Sequence, residues 1–280
     1  MVIQSNDSKL GENSGLGKPI AKKSYLIGLL VIFAAVYSQY LFPHGFGLIL
    51  GSLIVYGIPI VITVLLWGSV TIRRALSHMY TAVKYGLGFF GAFTVLGILV
   101  SAGILFIMLI FNPAAQNLLN KPNPVLNIPP GLAWVMVFGS FLVGPAEEYL
   151  FRGFVYGGLL SLFKNRHWLS LAFISSILFT AVHLYYAFTY GIASLIPFTD
   201  LMTFGMAMAA TYYFSEGNLL IPGLIHGAYD ATGFISVATT LNVGLLLRGI
   251  MISISIFFAI ALFIQRGQIR GQGSSQRDKS

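Results

Sequence analysis

Three charged residues lie close together in the middle of an almost uncharged, hydrophobic stretch of the chain. Glu147 and Glu148 are adjacent, and Arg152 follows four residues later. The whole chain has only 8 Asp and Glu among its 280 residues, so this concentration is not the background of a charged surface. An ionised side chain at the centre of a bilayer costs from ~2.5 to more than ~10 kcal/mol, and such residues commonly carry function. The triplet is therefore the first candidate for a functional site.

The spacing of the triplet predicts different surroundings for the two carboxylates. On a helix, Glu148 and Arg152 stand at i and i+4 and share a face, so we expect them to form an ion pair. Glu147 is rotated by about 100° from Glu148 and can point into a neighbouring cavity. One carboxylate held by a base and one free to exchange a proton is the division that general base catalysis requires. Pro145 removes a helical hydrogen bond just before the pair and predicts a local kink.

Further polar residues interrupt later apolar stretches at matching depths. The fourth and fifth apolar runs are expected to form an antiparallel hairpin that turns near Asn165. Glu148 and His183 each lie about 25 Å from that turn at ~1.5 Å per residue, so they should be level with each other. His226 and Asp230 stand at i and i+4 in the seventh run, but His226 is only about 12 Å from its own turn. For these residues to meet, the turn of the fourth and fifth helices must project about 12 Å beyond the membrane surface, which the length of the fourth run allows. The predicted cavity is therefore lined by Glu147, Glu148, Arg152, His183, His226 and Asp230, nearer the cytoplasmic face.

Composition predicts the environment of these residues. Hydrophobic residues make up 56% of the chain and charged residues 9%, against roughly 25% charged in soluble domains. A spanning helix needs about 20 apolar residues, and eight runs approach or exceed that length. We therefore expect an all-α, polytopic integral membrane protein of about eight transmembrane helices with an intramembrane polar cavity. The runs are 24–42, 47–67, 86–111, 132–163, 168–190, 201–214, 219–241 and 243–264, the sixth being the shortest.

The distribution of basic residues predicts orientation and domain organisation. With the N-terminus inside, thirteen of the 16 Lys and Arg fall on the cytoplasmic side and two, Lys121 and Arg248, fall outside. This asymmetry satisfies the positive-inside rule with both termini cytoplasmic. It also explains the net charge of +8 without nucleic acid, because the basic residues are dispersed over separate loops. Residues 1–23 and 266–280 are predicted to be polar, disordered tails around one transmembrane domain, 24–265, whose first run is a retained span.

The three polar motifs together resemble those of a known family. Glu147-Glu148-x-x-x-Arg152, Phe179-x-x-x-His183 and His226-x-x-x-Asp230 are similar to the motifs of the CAAX protease and bacteriocin-processing family, over about residues 130–240. These are intramembrane glutamic endopeptidases, among them the CAAX-prenyl endopeptidase. The resemblance implies an eight-helix protease in which Glu147 and His183 activate a water for attack on a peptide carbonyl. It also implies that Glu148 and Arg152 organise the site.

One position departs from the prenyl-processing members of that family. They have Asn where this chain has Asp230, and the resemblance gives His226 and this position to the oxyanion. An ionised Asp cannot donate a hydrogen bond to an oxyanion and would repel it. Asp230 is therefore either protonated, or it orients His226 by a hydrogen bond.

Other functions stay open at this point. The chain has no cysteine, which excludes disulfides, thiolate metal sites and a cysteine nucleophile. No cofactor is expected, although Glu and His can also bind a metal and make a metalloprotease. A proton-coupled transporter is the alternative from another class, since Glu, His and Asp inside helices also build proton relays. A non-catalytic immunity or sorting factor on the same fold is a third. The expected partners are membrane lipid and a peptide or protein substrate: a prenylated CAAX peptide, a bacteriocin leader or another membrane-proximal peptide.

Overall fold

The chain folds into helices throughout the residues that the structure describes. The computed structural model describes residues 20–38, 51, 53–67, 75–112, 117, 126, 128–239 and 242–277. No strand occurs within these ranges, so the all-α prediction is confirmed for them. The α-helices are α1 (Lys22–Ser38), α2 (Ile58–Trp67), α3 (Met79–Phe111), α4 (Pro130–Glu148), α5 (Gly157–Leu162), α6 (Trp168–Ala181), α7 (Tyr185–Tyr190), α8 (Leu195–Phe214), α9 (Leu220–Thr239) and α10 (Val243–Arg277).

Four helical segments of the described chain are long and apolar enough to cross a membrane. Large apolar side chains on their outer faces, such as Leu142 at 77% and Phe257 at 70% exposure, have no protein cover. An exposed apolar surface of this kind is typical of a lipid-facing helix. The described residues therefore support a membrane protein, with fewer candidate spans than the eight runs of the sequence. The four segments are Met79–Phe111, Pro130–Leu162, Tyr185–Phe214 and Val243–Gln265.

The fifth and sixth runs differ from their predicted boundaries. Helix α6 ends at Ala181, well before residue 190, the predicted end of the fifth run. Helix α7 joins α8 through a 3₁₀ turn, Gly191–Ser194, so the segment that contains the sixth run is longer than predicted. The end of α6 is stabilised by polar contacts, because the Tyr37 hydroxyl donates to the Ala181 carbonyl and the His183 N–H donates to the Thr180 carbonyl. Carbonyls at a helix C-terminus need such donors. A continuous apolar run gives no sign of this break.

Several sequence predictions concern segments near the ends of the described ranges. Of the predicted tail over 1–23, residues 1–19 lie outside the described residues, and α1 already begins at Lys22. The loop cations Arg73, Arg74 and Lys121 also lie outside the described residues. The predicted hairpin turn is present, since residues 163–167 connect α5 to α6. Helix α10 continues to Arg277, into the segment assigned to the polar C-terminal tail.

Within the described ranges, two π-helical segments interrupt the α-helical geometry. One, Leu53–Gly57, precedes α2, and the other, Tyr149–Tyr156, separates α4 from α5 directly after the glutamate pair. The π-helix is rare and occurs mostly at functional sites. Below, "the π-helix" means Tyr149–Tyr156. Whereas α4 packs mainly along α9, the π-helix contacts α6, α8, α2 and α1. The change in helical geometry thus coincides with a change of neighbours.

Glycine permits the close contact between the two helices that carry most of the polar residues. A Cβ on Gly144 of α4 would lie 2.5 Å from the Gly227 backbone nitrogen and 2.7 Å from the Gly223 carbonyl oxygen of α9. A Cβ on Gly223 would in turn lie 2.8 Å from the Cα of Pro145. Small residues of this kind let helix backbones approach closely in membranes. They bring the glutamate pair and His226 within reach of each other.

Gly144→Ala is expected to destabilise the fold by about 1–3 kcal/mol, the usual cost of overpacking a tight contact. The two backbones cannot rotate away from a methyl group as a flexible side chain can. Gly139→Ala is the matched control, because it lies on the same helix and its added Cβ meets nothing within 4 Å. The midpoint of denaturation in mixed detergent measures both variants. Equal midpoints for the two would contradict this account of the α4–α9 contact.

Candidate active site

Glu148 is at the centre of a buried network of contacts. Its Oε1 accepts a hydrogen bond from Arg152 Nη1 at 3.0 Å, as the i,i+4 spacing predicted, and lies 2.8 Å from Nδ1 of His226. Glu148 is 0% and Arg152 1% exposed. A carboxylate oxygen only accepts, so the Nδ1 of His226 carries the hydrogen and donates to it. Glu148, at the end of α4, therefore links this helix to α9 and fixes the orientation of the His226 imidazole.

The two glutamates are separated as the sequence predicted. Glu147 accepts a hydrogen bond at its Oε1 from the hydroxyl of Tyr56, at 2.6 Å. Its Oε2 lies 3.6 Å from Nε2 of His226. Its side chain remains 12% exposed, whereas that of Glu148 is fully buried. Glu147 is thus the carboxylate of the pair that is open to a reacting group.

His226 stands between three carboxylates. With Nδ1 bound to Glu148, its Nε2 faces Glu147 at 3.6 Å and Asp230 Oδ2 at 3.5 Å. The Asp230 side chain is 35% exposed, one turn after His226 on α9. In the imidazolium form the ring carries a second hydrogen, on Nε2, which can be directed to either carboxylate. It can equally be directed to an oxygen that approaches between them.

His183 lies beside this network, in the turn between α6 and α7 rather than inside a helix. Its Nδ1 is 2.9 Å from the Phe179 carbonyl oxygen, which only accepts, so Nδ1 carries the hydrogen and Nε2 is left as an acceptor in the neutral ring. Its ring contacts that of Phe179 at 5.0 Å, and Phe179 also contacts the His226 ring at 5.9 Å and the Arg152 guanidinium at 4.5 Å. The six residues named by the sequence are therefore brought to one region.

Aromatic rings pack against the polar residues of the site. The guanidinium of Arg152 lies 4.5 Å from the ring centroid of Phe179, and this ring is in edge contact with His183 at 5.0 Å and His226 at 5.9 Å. Phe204 contacts His226 from α8 at 4.8 Å. A cation over an aromatic face is stabilised where water is excluded. Phe179 thus supports the polar residues as well as filling the core.

A second basic residue packs against the helix that carries Asp230. Arg248 on α10 places its guanidinium 4.3 Å from the ring centroid of Tyr229, and its Nε donates to the Thr232 hydroxyl at 2.8 Å. The sequence predicted Arg248 only as a residue on the outer side of the membrane. Its position inside the last apolar run was the signal that it has a partner within the protein.

The hydrogen bond of Tyr56 to Glu147 is a contact that the sequence did not indicate. Tyr56 lies in the π-helical segment before α2, 91 residues from Glu147 along the chain. Its run is apolar and contains no motif, and tyrosine is common in membrane proteins. Only the tertiary packing of the second helix against the fourth identifies it.

The polar side chains do not form a preorganised metal site within the described ranges. Among these residues, no group of three or more His, Cys, Asp or Glu is arranged to hold a metal ion.

Two polar atoms of the site, Glu148 Oε2 and Arg152 Nε, are buried and have no hydrogen-bond partner among the described residues. Buried unsatisfied groups are rare in native proteins and call for an explanation such as a catalytic role.

Comparison with known families agrees with the motifs. The sequence model described as type II CAAX prenyl endopeptidase, Rce1-like, matches residues 129–232. This region runs from the start of α4 into α9 and contains all six predicted site residues. Neither a curated protein nor a solved structure matches the chain significantly. Over residues 129–232, the match supports the resemblance to the CAAX protease and bacteriocin-processing family that the motifs indicated.

Proposed function

We propose that this protein is an intramembrane endopeptidase that hydrolyses a peptide bond of a membrane-associated substrate. The observation that carries the proposal is the contact of Glu147 and Glu148 with His226 of the facing helix, together with the ion pair of Glu148 and Arg152. Ionisable side chains in such surroundings are costly and point to a functional site. The Rce1-like match over the same residues supports protease chemistry in particular.

In the proposed reaction, Glu147 is the general base. Assisted by His183, its carboxylate removes a proton from a water, and the water oxygen forms a bond to the scissile carbonyl carbon. The carbonyl oxygen becomes an oxyanion, to which the Nε2–H of His226 donates. The C–N bond then breaks as the proton on Glu147 passes to the leaving amine. Arg152 and Glu148 act by positioning, because they hold the imidazole of His226 in place.

The test is cleavage of a peptide library by purified protein in lipid or detergent, with and without Glu147→Ala. The library includes farnesylated CAAX peptides and their unprenylated counterparts, which decides whether the substrate is lipidated. Cleavage that disappears in the variant supports the proposal. Activity lost on dialysis against a chelator and restored by zinc would instead assign a metalloprotease. Proton-coupled uptake into proteoliposomes without any cleavage would assign a carrier.

Asp230→Asn is expected to leave cleavage within about tenfold of the unsubstituted protein, and an increase is the favoured direction. Glu148 makes the shorter contact with His226, 2.8 Å against 3.5 Å for Asp230, so the charge of Asp230 is not required to orient the ring. An amide can also donate to the oxyanion, which an ionised carboxylate cannot. Initial rates at saturating peptide measure the effect. A collapse of activity would show that the carboxylate of Asp230 is itself required.

We also propose eight membrane crossings with both termini cytoplasmic. Each of the eight apolar runs contains at least one described helix, and the basic residues are strongly biased to one side. Cysteine placed at Gly11 or at Ser274 of this cysteine-free chain is expected to react with an impermeant maleimide only after the cytoplasmic side is exposed. Cysteine at Lys121 is the control and should react from the outside. Opposite accessibility of the two ends would require an odd number of crossings.

A further inference from the structure

We propose that Tyr56 is a positioning residue of the active site, which holds the carboxylate of Glu147 ready to act as a base. The inference rests on the proposed function, because it assigns Tyr56 a role through the general base. Tyr56 lies outside residues 129–232, so neither the motifs nor the family match assigns it.

The carboxylate of Glu147 is held from two sides. The Tyr56 hydroxyl donates to Oε1 at 2.6 Å from one side of α4, while Nε2 of His226 faces Oε2 at 3.6 Å from α9. The first contact is short for an O–H···O hydrogen bond, as expected when the acceptor is ionised. Tyrosine has a single hydroxyl on a rigid ring, so it fixes the direction of the carboxylate. The oxygen that faces His226 is then the one directed to the reacting water.

Other charged and titratable groups also face Glu147, but each has a separate principal partner. His226 is bound by Glu148, and Arg152 by the same carboxylate. His183 is bound at Nδ1 by the Phe179 carbonyl, and Asp230 faces His226. Tyr56 is therefore the uncharged donor that binds Glu147 directly. Removal of its hydroxyl changes the hydrogen bonding of the base while it leaves every charge of the site in place.

This arrangement has a measurable consequence for proton transfer. A hydrogen bond to a carboxylate stabilises its ionised form. Without the Tyr56 hydroxyl, Glu147 should take up a proton more readily, and its ionised carboxylate should be less well oriented towards the reacting water. The acidic limb of the kcat profile should then move to higher pH, and kcat should fall. The KM should change little, since the hydroxyl is bound to Glu147 and not to the peptide.

The test compares Tyr56→Phe with Tyr25→Phe, using peptide cleavage by the full chain in detergent or lipid. Tyr25 is the matched control, because its buried hydroxyl donates to the Val155 carbonyl at 3.0 Å and has no contact with Glu147. Tyr56→Phe is expected to lower kcat on the order of ten- to a hundredfold, the scale of one hydrogen bond to a charged group. The acidic limb should rise in pH in this variant only. Tyr25→Phe should keep both the rate and the profile.

Several outcomes would overturn the inference. Unchanged kcat and profile in Tyr56→Phe would do so, and so would equal losses in both variants with equal loss of thermal stability. If Tyr56→Phe does not fold, 3,5-difluorotyrosine at position 56 gives the second test. Its hydroxyl is a stronger donor, so the acidic limb should move to lower pH, and an unmoved limb contradicts the role. Cleavage that survives Glu147→Ala refutes the proposed base itself, whereas an inactive Glu147→Ala with a normal Tyr56→Phe refutes only the role of Tyr56.

Discussion

Glu147→Gln is expected to lower kcat by about 10²–10⁴-fold, the usual contribution of a positioned general base. Glutamine keeps the size of the side chain and can still accept from the Tyr56 hydroxyl, but its amide cannot take a proton from water. The contacts of Glu148 with Arg152 and His226 do not involve the substituted carboxylate. Single-turnover cleavage of a reporter peptide under saturating enzyme measures the chemical step.

A matched substitution separates this effect from a general loss of charge. Glu216→Gln removes a carboxylate that is 61% exposed and whose described ionic neighbour is His78, which is not one of the six candidate site residues. It should leave kcat unchanged. Full activity in Glu147→Gln would rule out Glu147 as the base, and equal losses in both variants would show a non-specific effect. His183→Ala should lower kcat to a similar extent as Glu147→Gln, since both act on the same water.

Arg152→Met is expected to destabilise the folded protein by about 3–5 kcal/mol, the usual result of breaking a buried ion pair from one side. Methionine resembles the aliphatic part of arginine in length, so the packing against Phe179 is partly preserved. The carboxylate of Glu148 would keep His226 as a partner but lose its permanent cation at 3.0 Å. The Arg152 donation to the Gly205 carbonyl at 3.3 Å is lost as well.

The double variant Glu148→Leu/Arg152→Met tests the cause of that loss. When both members of a buried pair are replaced by apolar residues of similar volume, stability is often regained. We therefore expect the double variant to unfold at a higher denaturant concentration than Arg152→Met, although it should be inactive because His226 is no longer oriented. Unfolding in mixed detergent micelles, followed by circular dichroism, gives the comparison. A double variant less stable than the single one would mean that shape, and not the uncompensated charge, dominates.

The sequence predicted the polar pairs that depend on local helical geometry. The pair of Glu148 and Arg152 follows from the i,i+4 spacing, and the approach of His226 to the glutamates was expected from its depth along the seventh run. Both arguments use only helical periodicity and rise. The all-helical fold followed from composition and run length in the same way. None of these depends on the detailed packing of one helix on another.

The remaining features depend on tertiary packing and carry no local signal. The carbonyl at the end of α6, that of Ala181, accepts from Tyr37 on another helix, and the contact of Tyr56 with Glu147 joins residues 91 positions apart. Which nitrogen of His226 faces which carboxylate depends on the close approach of α4 and α9. An apolar run reports that a segment is buried or lipid-facing. It does not report which neighbour a single hydroxyl will reach.

The number of residues in the π-helix after the glutamate pair sets the direction in which the later side chains of this segment point. The length of the π-helix is therefore more constrained than its composition. If one residue were removed between Glu148 and Arg152 and the winding stayed unchanged, Arg152 and everything beyond it would rotate by about 100° relative to Glu147. Arg152 would then leave the face it shares with Glu148. A conservative apolar replacement at Leu150 or Val155 changes no such angle. Among relatives that keep this chemistry, insertions and deletions should therefore fall before Pro130 or after Leu162, whereas the span between them should keep a constant number of residues.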